Sequence, residues 1–170
     1  MECWNYGCCH FPSPVFEMLQ LPEAPINDKS RAMAYQIIDH TADFGLQVTA
    51  PDLPSLFAEA LFALFDVLVE VRIPANATET LTLQISGDDW PDLMVNWLRE
   101  ALYQWTGEER VVRRAEILGL STYSLKARLF HEPYDPGRHV VLQEIKAVTY
   151  HQIRVTPAPT GWEARIIFDI

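Results

Sequence analysis

The chain has 170 residues, 49% of them hydrophobic and 21% charged, which suits one globular domain and leaves no comfortable room for two. Thirteen Lys and Arg against 23 Asp and Glu give a net charge of −10, so nucleic-acid binding driven by the field of the whole protein is disfavoured, although a small local basic patch is still allowed. No apolar run reaches the roughly 18 residues of a membrane helix; the stretch from Leu53 to Val71 is broken by Glu59, Asp66 and Glu70.

The first residues lack the charged start and apolar stretch of a secretion signal. All three cysteines fall within the first nine residues, so no disulfide framework supports a core. These features predict a soluble, cytoplasmic protein. Residues 1–33 hold four of the 12 prolines and no sustained periodicity, and read as an N-terminal extension to a domain at 34–170. Met33 stands just before the first regular segment and is a candidate native start.

Tyr35 to Ile38 is β-prone, and Asp39-His40-Thr41-Ala42-Asp43 interrupts it as a turn. Phe44, Leu46 and Val48 then alternate with Gly45, Gln47 and Thr49, the period of a half-buried strand. Asp52 can cap a helix with Pro54 in its first turn. Leu56, Phe57, Ala60, Leu61, Leu64 and Leu68 recur at helical spacing, and Phe62, Phe65 and Val69 widen the stripe, so this helix is expected to be buried on more than one side. Leu81, Leu83 and Ile85 mark another strand. Asp88 or Asp89 caps a second helix, whose stripe runs from Trp90 to Trp105 and stops at Gly107.

The rest reads as strands near 111–118, 121–130, 145–155 and 162–168, with turns at Gly119, 133–139 and 157–161. Two helices and about six strands in this order lack βαβ alternation. They predict an α+β two-layer sandwich, with both helices packed on one face of a mostly antiparallel or mixed sheet.

In the last strand Trp162, Ala164, Ile166 and Phe168 share one face, and Glu163, Arg165, Ile167 and Asp169 the other. Asp169 therefore emerges on the more polar side, beside the carboxylate of Ile170. Adjacent carboxylates repel unless a cation or hydrogen-bond donors lie between them. With Asp43 from the turn they form an all-oxygen, negative set suited to Ca²⁺ or Mg²⁺ rather than Zn²⁺. The competing reading is a solvated strand end and an Asx-turn residue.

His40, His139 and His151 are a second candidate constellation. His151 shares parity with Ile145, Ala147, Ile153 and Val155 and is expected to be half-buried, as a hydrogen-bonded core residue or as half of an acid–base pair. Lys146 stands on the opposite face, as a surface charge or as a phosphate or partner contact. Arg110, Arg113 and Arg114 read as a solvated basic face, with a docking patch as the minority reading. Cys3, Cys8, Cys9 and His10 make a poor zinc set, because Cys8 and Cys9 are adjacent and no C-x-x-C pair exists. No phosphate-cradling glycine loop, nucleophile elbow or dinucleotide fingerprint is present, which weakens readings as a self-sufficient enzyme.

Several segments together carry a resemblance. Ile38-Asp39-His40-Thr41-Ala42-Asp43, Leu61-Phe62-Ala63-Leu64-Phe65, Leu93 to Leu98, Glu132 through His139, Ile145 to His151, Gly161 to Ala164 and the ending Ile167-Phe168-Asp169-Ile170 resemble, in order and spacing, the archease family. A glycine usually precedes the Glu matching Glu132, and His131 stands there instead. The resemblance implies a non-enzymatic activator of the GTP-dependent RNA-splicing ligase, which joins 2′,3′-cyclic phosphate or 3′-phosphate ends to 5′-hydroxyl ends in tRNA splicing. Such an activator promotes guanylylation and multiple turnover of the ligase. The resemblance further implies a divalent cation, calcium before magnesium or manganese, held by Asp43, Asp169 and Ile170, with Lys146 also functional. RNA would be met through the ligase, and no membrane is implied. The rivals are an autonomous metal-dependent phosphoester hydrolase and a general chaperone-like binding module.

Overall fold

A computed structural model describes residues 34–39, 44–73 and 79–170. The elements in order are β1 (Tyr35–Asp39), β2 (Phe44–Ala50), α1 (Leu53–Leu68), β3 (Val69–Val71), β4 (Glu79–Ser86), α2 (Trp90–Thr106), β5 (Arg110–Ser121), β6 (Ser124–Pro133), β7 (His139–Val141), β8 (Ala147–Val148), β9 (Arg154–Ala158) and β10 (Gly161–Asp169). The class is α+β, as expected, and every strand pairing among the described residues is antiparallel.

The two helices begin where their caps predict. Asp52 accepts a hydrogen bond from the Ser55 amide at 2.7 Å and Asp89 one from the Asp92 amide at 2.8 Å, satisfying first-turn donors that have no helical partner. Gly107 ends α2, its amide bonding the Tyr103 carbonyl. The strands are more numerous than the sequence pattern suggests, and they divide into sheets. One sheet has the order β1-β2-β10-β8, with β9 also pairing β10; a second has the order β4-β6-β5; β3 and β7 form a short third ribbon.

Strands of both larger sheets contact the helices: α1 meets β2, β10 and β5, while α2 meets β4, β5, β8 and β9. This accounts for the breadth of the α1 stripe, in which Leu56, Phe57, Ala60, Leu61, Ala63, Leu64 and Leu68 are all fully buried. Trp97 of α2 is fully buried too, and its indole N–H reaches the Phe57 carbonyl at 2.9 Å, tying the helices together. Burial of an indole requires such a partner.

Three local expectations change. Val69 leaves the helix and starts β3, because Val141 of β7 offers a strand partner. Gly119 is no turn: it lies inside β5 at a bulge, where the register slips between Ile117 and Gly119, and the actual turn comes at Tyr123, which adopts φ 54°. The segment 145–155 is not one strand. It breaks into β8 and β9 at a turn in which Gln152 takes φ 52°.

Candidate functional site

The C-terminal end of β10 lies between two neighbours. On one side β2 pairs with it along its length, ending with Phe44 opposite Phe168; on the other side Val148 faces Phe168 and Ala147 faces Asp169. Phe168 is fully buried, and its ring meets that of Phe44 at 6.1 Å between centroids. The backbone is therefore anchored one residue before Asp169, where the chain emerges into solvent. Asp169 and Ile170 are both exposed.

Segment 146–150 holds this end in place. The Lys146 amide donates to the Asp169 carbonyl at 2.8 Å, and the Thr149 amide and hydroxyl both donate to the Ile167 carbonyl at 3.0 Å. Lys146 itself is exposed, and its ammonium Nζ donates to the main-chain oxygen of Ile170 at 3.1 Å. Charge-assisted bonds of this kind are stronger than neutral ones, though exposure to water weakens the ionic part.

The same segment is tied to α2. The Tyr150 hydroxyl donates to Asp92 Oδ1 at 2.5 Å, the Arg99 guanidinium lies over the Tyr150 ring at 4.8 Å, and Arg99 Nε donates to the Val148 carbonyl at 3.3 Å. Asp92 Oδ2 also receives the Asp88 amide and the Asn96 side-chain amide. The Tyr150 bond is the foremost cause that lowers the Asp92 carboxyl below the ordinary range, and the same bond raises the Tyr150 hydroxyl above its own. Sequence reasoning missed this network. Asp92, Asn96 and Arg99 stand at helical spacing on one face of α2, which was the available signal.

Of the expected site residues, Asp169, Ile170 and Lys146 come together. Asp43 and His40 lie outside the described residues, as do the 1–33 extension, Met33 and the Cys3, Cys8, Cys9 and His10 set. Among the described residues no group of three or more His, Cys, Asp or Glu side chains could hold a metal ion. The chemistry of the described donors nevertheless suits a hard cation. The Asp169 carboxylate and the Ile170 main-chain oxygen are exposed oxygens, and the latter already draws an ammonium group.

The histidines part company. His151 is exposed in the turn after β8, with its amide donating to the Thr149 hydroxyl at 3.3 Å, so the expected half-burial is corrected; the break at Gln152 cancels the strand parity on which it rested. His139 is buried at the start of β7. Its Nδ1 accepts the Asp135 amide at 2.9 Å, and its Nε2 faces Glu132 Oε1 at 3.6 Å.

Glu132 is fully buried and receives Arg113 at 2.6 Å and also Arg138. The three arginines read as one solvated face separate. The bulge between Val112 and Arg114 gives Arg113 to Glu132, while Arg114 covers the Phe130 ring and Arg110 reaches Gln104 and Glu108.

With this geometry, residues 35–170 match the model of the archease protein family. The chain belongs to the archease family. Protein archease of Methanosarcina mazei is 31% identical over 145 residues, covering 83% of this chain and 99% of that relative. Protein archease of Pyrococcus abyssi is 35% identical over 136 residues, 78% of this chain and 95% of its own. These relatives are named as proteins, with no enzymatic activity in the name. Among solved folds, the solution structure of Methanobacterium thermoautotrophicum protein 1598 aligns with a TM-score of 0.64 at 24% identity, over 81% of this chain and 99% of that one. A crystal structure from Thermotoga maritima, described as an archease and possible chaperone, aligns at 0.54 with 18% identity, over 78% and 94%. Both likenesses concern the fold. Among the described residues no helix is long and apolar enough to cross a membrane.

Proposed function

We propose that this chain activates the GTP-dependent RNA-splicing ligase, promoting its guanylylation and multiple turnover in the joining of 2′,3′-cyclic phosphate or 3′-phosphate ends to 5′-hydroxyl ends. It acts in the cytoplasm as an accessory protein and not as a ligase itself. The observation that carries this reading is the C-terminal end of β10: an exposed Asp169 and Ile170, a buried anchor at Phe168, and Lys146 bonded to the last main-chain oxygen. Family membership directs the reading towards the ligase.

Asp43 precedes Phe44 in sequence, Asp169 follows Phe168, and those two phenylalanines face each other across β2 and β10. Asp43, Asp169 and Ile170 would hold a divalent cation, calcium first, with magnesium or manganese as alternatives. Bound there, it would supply positive charge that lets these oxygens share one small space. Lys146 offsets part of the same charge. An end fixed by strand pairing presents its carboxylates at low entropic cost, which favours recognition of one state of a partner. Activation then follows if that state is the nucleotide-competent ligase, since a binder shifts an equilibrium only by its preference for one side.

The test is multiple-turnover RNA ligation by limiting ligase with GTP and divalent metal, with this protein added or omitted. Addition should raise product beyond one equivalent of ligase, and Asp169→Asn should remove the gain. Phosphoester turnover by the protein alone would favour a hydrolase instead.

A further inference from the structure

The sheet β4-β6-β5 has one face turned to the helices and one turned outward. Leu125, Ala127 and Leu129 of β6 are fully buried on the inner face. The register lays out the outer face in rungs: Thr80, Phe130 and Arg114; then Thr82, Arg128 and Glu116; then Gln84, Lys126 and Gly119; then Ser86, Ser124 and Ser121. Three cations and one carboxylate thus share a face in a chain whose net charge is −10.

Among the described residues, only Arg128 of these three spends its charge locally, on Glu116 at 3.0 Å. Among the described residues no carboxylate lies within 4.0 Å of the Lys126 ammonium or the Arg114 guanidinium, and the latter stacks on the Phe130 ring at 3.7 Å. A depression of about 280 Å³ lies beside Lys126, lined by Gln84, Gly119, Leu120, Ser121 and Ser124. A Cβ placed on Gly119 would meet nothing within 4 Å, so the floor of that depression is open.

We infer that this outer sheet face is a docking surface for a single strand of nucleic acid. The occupant is identified by complementarity. Lys126 and Arg114 stand four residues of β6 apart in register, about 13 Å, which spans two or three phosphates of an extended strand. The guanidinium–aromatic pair offers a flat stacking surface, and the hydroxyl and amide side chains between the cations suit sugars and base edges. The rest of the molecule's negative charge does not forbid this, because fields between exposed groups fade beyond about 10 Å at 0.1 M salt. An acidic protein partner would use the charges but neither the stacking pair nor the depression. The surface stands apart from the β10 end and is independent of the ligase reading; it adds a direct contact where the acidic composition predicts only an indirect one.

The test is fluorescence anisotropy of a labelled 12-nucleotide RNA titrated with the full chain in 50 to 200 mM salt, without ligase. Neutralising about two phosphates gives a salt slope near −1.4, a roughly sevenfold loss of affinity over that range. The variant carrying Lys126→Glu with Arg114→Gln should bind about tenfold more weakly or worse. Gly119→Leu, which fills the depression without changing charge, should weaken binding with the slope unchanged. Thermal melts check that each variant is folded, and Lys126→Gln replaces the double variant if it is not. No binding at 50 mM salt, equal binding by the folded variants, or displacement by poly-glutamate as readily as by unlabelled RNA would each overturn the inference.

Discussion

Replacing Glu132 with Gln tests the most heavily buried charge in the described structure. The Glu132 side chain has no exposed surface; of the two arginines beside it, Arg113 is 10% exposed and Arg138 26%. Two guanidiniums offset much of the desolvation of a carboxylate taken wholly out of water. The amide keeps the shape but carries no charge, and its NH2 group must face one guanidinium donor to donor. Arg138 can swing a quarter-exposed head into water, whereas Arg113 cannot. Breaking a buried pair from one side typically costs about 3–5 kcal/mol, and the partial rescue at Arg138 places the expected loss near the low end, about 3 kcal/mol. With an urea slope of about 2 kcal/mol/M, the midpoint should fall by roughly 1.5 M. Urea unfolding followed by tryptophan fluorescence reads this directly. Adding Arg113→Met should return much of the loss, because it removes the stranded cation. A loss below about 1 kcal/mol, or a double variant no better than the single one, would refute the reasoning.

Gly161 adopts φ 138°, and a Cβ there would meet the Ala50 carbonyl at 2.2 Å, so Gly161→Ala should cost about 2–3 kcal/mol in the same assay. Trp97→Phe removes the indole bond to the Phe57 carbonyl and leaves a void between the helices; a loss of about 2–3 kcal/mol is expected, and an unchanged midpoint would contradict that packing. Burial, and then the Arg110 guanidinium, hold His131 below the ordinary histidine range, against an opposing pull from Glu79. Because the folded value is the lower one, the unfolded chain binds the proton first, so this stability is complete above about pH 6.5 and is lost as pH falls through the folded value. Unfolding midpoints compared between pH 7.5 and pH 5 should fall less in His131→Gln than in the parent.

Where a local rule governs, the sequence is a good guide. Asp52 and Asp89 precede Pro-containing first turns, and both helices begin there. The alternation at 44–50 and the parity of 162–168 survive because both strands are paired along their length with one face in the core. Where a single backbone angle decides, the pattern misleads. Gln152 at φ 52° breaks the strand that would have buried His151, and the bulge before Arg114 sends Arg113 inward. The Glu132 pair is invisible locally because its two arginines lie 19 and 6 residues away. At the β10 end, the parity of Asp169 was legible, but its fastening was not. Lys146 reaches Ile170, and Tyr150 reaches Asp92, across 24 and 58 residues that only the fold brings together.

If the proposed function holds, the end of β10 acts on a ligase. The direct measurement is multiple-turnover ligation of RNA with cyclic-phosphate and 5′-hydroxyl ends by a limiting amount of guanylylation-competent ligase, comparing the parent chain with Asp169→Asn. The two proteins should unfold at the same urea midpoint, since Asp169 is exposed. Product well beyond one equivalent of ligase is expected with the parent and about one equivalent with Asp169→Asn. Equal stimulation by both, or none by either, would contradict it.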